Sequence, residues 1–215
     1  TVKSAGVPLQ TGPTTFEISY SAVVGNSGTA TVYNAQGNDF LSNTYPAPAS
    51  FTVSNYAVAA QGGATCTGNA SFNGVADTRL LAGTEDLATG QSCAISYKVT
   101  VNYNTTPIPT RYNNVVASGM GADSPTANAG YTSVTQDPTT GLITGGTPPS
   151  GATTTDNSTN VTPPAGGVPG AVPPTPTLIP GTPAGTPTPV SPVTNKVDTV
   201  KSAGVPLQTG PTTFE

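Results

Sequence analysis

FEISYSAVV, Phe16 to Val24, is the stretch on which the fold turns. Ile18, Tyr20 and Ala22 fall on one side of an extended chain, and Glu17, Ser19 and Ser21 on the other. That two-residue period is the mark of a half-buried strand. Gly25-Asn26-Ser27-Gly28 reads as a turn, and Thr29-Ala30-Thr31-Val32-Tyr33 resumes the alternation. Beyond it, Phe51 to Val58 follows the Pro46/Pro48 loop as another strand, and Ala64 to Gly68 is short and extended. Ser92 to Tyr103 (SCAISYKVTVNY) is the strongest strand signal in the chain, and Tyr112 to Ser118 follows it after the Pro107/Pro109 loop. Leu142-Ile143 and Val161 are weaker strand candidates. A helical signal is confined to Asp77–Leu87, where Gly83 interrupts it. Many short strands separated by turn residues predict an all-β fold, an antiparallel β-sandwich.

The organisation of the chain follows from its ends. Thr1 to Glu17 reads TVKSAGVPLQTGPTTFE, and Thr199 to Glu215 repeats those seventeen residues without a substitution. Identity over that length means duplicated sequence, so the chain reads as one unit of a tandem array plus the opening of the next. No charged residue occurs between Asn157 and Asn195, and proline crowds that interval. Such text forms neither helix nor central strand and reads as an extended, polyproline-II-like spacer, with Thr177-Leu178-Ile179 its one edge-strand candidate. The expected division is therefore a β-sandwich repeat over 1–162, a Pro/Gly/Thr-rich connector over 163–198, and the start of the next identical repeat over 199–215. Neighbouring copies of the repeat are the expected partners, within the chain and in neighbouring fibres.

Composition excludes several function classes. Charged residues are 7% of the chain, against roughly 25% in ordinary soluble domains. Six Lys and Arg against ten Asp and Glu leave no basic face for a phosphate backbone or an anionic membrane. No apolar run approaches the ~20 residues of a membrane span, so no membrane insertion by this segment is expected. Histidine is absent, which removes His-based nucleophilic triads, acid–base pairs and metal sites. No phosphate loop or zinc spacing occurs. The chain reads as non-enzymatic, without a cofactor, a metal or catalytic residues.

A few residues remain as candidates. Asp77, Glu85 and Asp86 form an acidic cluster in a loop-like region, read as a solvated turn, with calcium as the weaker reading because EF-hand spacing is missing. Cys66 and Cys93 are the sole cysteines, and an isolated pair in a charge-poor β chain is expected to form a disulfide. Two buried thiols in a reducing compartment are the competing reading. Asn69, Asn104, Asn157 and Asn160 each begin an Asn-x-Ser/Thr glycosylation pattern, at about the frequency this composition produces. Lys3 is weighed against Asn113 and Asn114, because a strand lysine beside an asparagine amide, with a carboxylate nearby, can form a self-generated isopeptide crosslink. A solvent-facing lysine is the ordinary alternative. Tyr45, Tyr56 and Tyr131 are loop tyrosines suited to a carbohydrate- or host-binding adhesin module, the second functional class.

The order of phrases carries a family resemblance. Ile18-Ser19-Tyr20 leading to Val23-Val24-Gly25-Asn26-Ser27-Gly28 is similar to the opening of the bacterial surface repeats known as domain of unknown function eleven. Gly63 to Gly68, Phe72-Asn73-Gly74, Asp77, Leu80 to Gly83 and Leu87 to Cys93 continue the likeness. Tyr112 to Gly119 and Asp156 to Asn160 resemble its closing phrases, so that about residues 1–162 are covered. The resemblance implies an immunoglobulin-like β-sandwich, repeated in large exported bacterial proteins as a stalk, filament or adhesin segment at the extracellular cell surface. It also supports the pairing of Cys66 with Cys93. Relatives often continue into an Asp-rich stretch suited to calcium, whereas Pro163 to Pro169 carries no carboxylate. Proline stiffness is the expected substitute.

Overall fold

The computed structural model describes residues 1–141, 143–157, 159–160, 208–210 and 213–214. The connector, Leu142 and Val161 lie outside these, and so does the Thr177-Leu178-Ile179 segment. The described part is built from strands β1 (Val2–Ala5), β2 (Leu9–Gln10), β3 (Thr15–Gly25), β4 (Val32–Asn38), β5 (Ser50–Gln61), β6 (Glu85–Leu87), β7 (Ser92–Asn102), β8 (Val116–Met120), β9 (Ser133–Gln136), β10 (Ile143–Thr147), β11 (Ala152–Asn157) and β12 (Thr159–Asn160). A single helical turn, α1 (Leu41–Thr44), follows β4.

One sheet runs β12-β1-β3-β7-β5 with β2 added alongside β3, and the other runs β11-β8-β4-β6. The pairings within both are antiparallel apart from β1 with β12, which is parallel and matches Val2 to Thr159 and Lys3 to Asn160. β9 and β10 form a separate hairpin. The alternation of Phe16–Val24 is realised in β3: Ile18, Tyr20, Ala22 and Val24 are buried. β7 matches it residue for residue across the ladder, with Tyr20 opposite Tyr97 and Ala22 opposite Ile95. Their inward side chains meet Val32 and Ala35 of β4, Leu87 of β6 and Ala117 of β8 in one core. Two layers sharing that core are the arrangement by which half-apolar sheets escape water.

Two local expectations are corrected. The helical turn sits at Leu41–Thr44, whereas Asp77–Leu87 is irregular chain ending in β6. There the Asp77 carboxylate grips Arg79, and Glu85 ties down the turn at Gly83, which has φ of +83°. Ala64–Gly68 is also irregular, its sheet pairing confined to an isolated bridge between Gly68 and Leu81.

The second copy of the repeated text carries a hairpin of its own, β13 (Gln208–Gly210) with β14 (Thr213–Phe214). Gln208 pairs with Phe214, as Gln10 pairs with Phe16 in the first copy. The pair described in both copies thus keeps the same partners.

Candidate functional site

The concentration of buried polar chemistry lies where the two sheets meet at the end of β4. Lys3, Asp39 and Asn113 are each wholly shielded from solvent, at 0% exposure. Lys3 comes from β1, and its ladder partner on β3 is Ala22, whose small side chain leaves room for a lysine stem running inward. The Nζ atom sits 4.6 Å from the ring centre of Tyr20 and 5.5 Å from that of Tyr97. Both distances are within cation–π range. Asp39 immediately follows β4 in the facing sheet, and its own N–H donates to the Thr78 carbonyl at 2.8 Å. Asn113 lies in the segment leading into β8.

These groups converge on one oxygen. Lys3 Nζ and the Tyr97 hydroxyl both donate to Asp39 Oδ2, and Asn113 Nδ2 donates to the same atom at 3.3 Å. Lys3 Nζ also donates to the Tyr97 hydroxyl oxygen at 2.8 Å. The amide carbonyl of Asn113 accepts a hydrogen bond from Thr44 Oγ1 of α1 at 2.9 Å. Asp39 Oδ1, also buried, has no hydrogen-bond partner. A buried carboxylate with one crowded oxygen and one empty one is unusual, since such atoms are nearly always satisfied. Removal from water pushes the Lys3 ammonium down to about 8, with the attraction of Asp39 opposing it only in part. Burial holds the phenols of Tyr20, Tyr45 and Tyr97 well above their ordinary value. The site therefore combines a lysine poised toward its neutral amine, a carboxylate, and a primary amide whose carbonyl already has a donor.

Of the two asparagines weighed from the sequence, Asn113 belongs to this cluster. Asn114 is buried too, but its Nδ2 donates to the Gly141 carbonyl at 3.4 Å. The solvent-facing lysine does not fit, because Lys3 is among the most buried side chains. Asp39 itself was not legible as a site residue. It closes the run Asn34-Ala35-Gln36-Gly37-Asn38-Asp39, whose polar side chains are all buried against the strand period.

The remaining candidates are distributed over the fold. Cys66 and Cys93 are joined by a disulfide, with Cα atoms 5.7 Å apart. The three carboxylates of the acidic stretch each have their own partners. Arg79 pairs with Asp77, Asn34 N–H donates to Asp86, and the backbone N–H groups of Gly83, Thr84 and Thr67 donate to the buried Glu85 at 2.8, 3.0 and 3.1 Å. The solvated-turn reading therefore fails for Glu85, whose carboxylate is an internal anchor. Among the described residues no group of three or more potential ligands comes together for a metal ion, and no helix is long and apolar enough to cross a membrane.

Of the glycosylation candidates, Asn104 is exposed with its amide donating to the Pro48 carbonyl at 2.9 Å, and the Asn69 amide donates to the Arg79 carbonyl at 3.0 Å. Asn157 ends β11 and Asn160 ends β12. The tyrosines offered for ligand binding are corrected. Tyr45 and Tyr131 are buried, and the Tyr56 hydroxyl is spent on the Leu80 carbonyl.

No family model, no curated protein and no solved structure matches this chain.

Proposed function

We propose that this chain is a structural repeat unit of an extracellular bacterial surface fibre, stalk or filament. Each unit is an immunoglobulin-like β-sandwich of the kind found in the domain-of-unknown-function-eleven repeats, and the Pro-rich text over 163–198 is the spacer between units. The observation that carries the reading is the exact return of residues 1–17 at 199–215, joined to what those residues do in the first copy. In the first copy they supply β1, β2 and the start of β3, which supports reading the same text at 199–215 as the opening of another sandwich. In such an array length scales with copy number, and each bead folds on its own core and its own disulfide. A charge content of 7% limits the assembly's sensitivity to salt. The function is mechanical and non-enzymatic.

The test is imaging of intact cells labelled with antibody raised against residues 1–162. Labels recurring at a regular spacing along surface filaments are expected. A gene holding a single copy of 1–162, or labelling only after the cells are permeabilised, would overturn the reading.

A further inference from the structure

The cluster at Lys3 has a chemistry beyond that of a buried ion pair. We propose that Lys3 and Asn113 join through an intramolecular isopeptide bond, with Asp39 moving the protons and Thr44 steadying the amide oxygen. Three observations support this. The amine and the amide nitrogen both bond to one oxygen of Asp39, so nucleophile and leaving group share one proton carrier. Thr44 Oγ1 already donates to the oxygen on which negative charge develops when the amide carbon is attacked. The free Oδ1 of Asp39 gives the carboxyl a place to hold a proton in transit. Burial also favours the neutral amine, the form that attacks.

The step balances without an oxidant or a cofactor. A proton moves from Lys3 Nζ to Asp39, and the neutral amine attacks Cγ of Asn113. Asp39 delivers its proton to Nδ2 as the Cγ–Nδ2 bond breaks. The attacking nitrogen gives up a second proton to Asp39 as it becomes an amide N–H, and that proton leaves with the departing ammonia as ammonium. Gathered on one oxygen of Asp39 and shielded from solvent, the two side chains are in the kind of setting that makes such intramolecular reactions fast and hydrolysis slow. The crosslink stands on the buried cluster alone, so its failure would leave the fibre reading untouched.

Intact mass of the full chain, with the disulfide reduced and alkylated, decides the matter. The expected mass is one ammonia below that of the sequence, with a branched peptide joining Lys3 to Asn113 after proteolysis. Lys3→Arg, Asp39→Asn and Asn113→Ala should each restore the full mass, and Asn114→Ala should not. Asn113→Asp should lose one water in place of ammonia. Formation of the Cys66–Cys93 disulfide in each variant, checked without reductant, confirms that it has folded. Full sequence mass in the folded wild-type chain would overturn the proposal. So would an ammonia loss that maps to a succinimide at Asn73-Gly74 and disappears on mild hydrolysis.

Discussion

Reduction of the Cys66–Cys93 bond is the perturbation whose size follows most directly from the structure. The bond ties the irregular chain after β5 to the head of β7, and Cys93 is wholly buried while its partner is half-buried. Opening it frees a loop spanning a 27-residue separation, which in the chain-entropy treatment is worth about 3.5 kcal/mol. For a domain of this size each kcal/mol moves the midpoint by about 2–4 °C, so the melting temperature should fall by about 10 °C. Reduction leaves both side chains in place and avoids the cavity that substitution would create. Calorimetry with and without reductant is the assay, and free-thiol titration of the unreduced protein checks its starting state. A fall below about 3 °C would refute the reasoning, since the loop would then already be restrained when the rest of the chain is unfolded.

Gln36 offers a second test. Its side chain accepts from the N–H of Leu81 at 2.8 Å and of Gly37 at 3.0 Å, and donates to the Leu81 carbonyl at 2.8 Å. Gln36→Ala strands these buried groups and should cost about 2–4 kcal/mol by denaturant titration, with faster amide exchange at Leu81. Asp77 is held near 2, chiefly by its hydrogen bonds to Arg79. Its depressed value contributes stability above the ordinary carboxylate range that is lost as pH falls toward 2, and Asp77→Asn should flatten that acid limb by less than about 1 kcal/mol. In Asn113→Ala, where no crosslink can form, Lys3 keeps its amine beside Asp39, Tyr97 and Tyr20. With its value lowered to about 8, the folded state binds fewer protons than the unfolded state above that pH. Stability of this variant relative to the crosslinked wild type should therefore rise between pH 8 and 10, since the raised phenols of Tyr20, Tyr45 and Tyr97 oppose that rise in both proteins alike.

Much of the scaffold could be read from residue periods. β3 and β7 alternate strictly and form the centre of one sheet, and the cysteine pair was equally plain. β4 escaped beyond Tyr33 because Asn34, Gln36 and Asn38 face buried surroundings that no local pattern announces. Their partners lie far along the chain: Ser124 and Asn128 bond to Asn34, Leu81 to Gln36, and Tyr131 to Asn38. Hydrogen bonding from distant loops replaces apolar burial, and alternation then carries no signal. The helical turn was misplaced for a related reason. Leu41 is buried in the core and supports α1 through packing, while Asp77–Leu87 is claimed by its backbone and arginine partners. For the site, Lys3 and Asn113 were visible as residue types, but the carboxylate that relates them became evident only when β1 and the end of β4 were brought face to face.

In the proposed array, the parallel pairing of β1 with β12 would set how a unit bears tension. These are the first and last strands described in the two sheets, so a pull on the chain before β1 and after β12 would drag them lengthwise past one another. Hydrogen bonds loaded that way must yield together, whereas an antiparallel pair pulled from one end opens one rung at a time. With an amide between Lys3 and Asn113, the force would leave β1 at its second residue and travel on from residue 113. Everything from β2 through β7, disulfide included, would then hang slack beside the taut path.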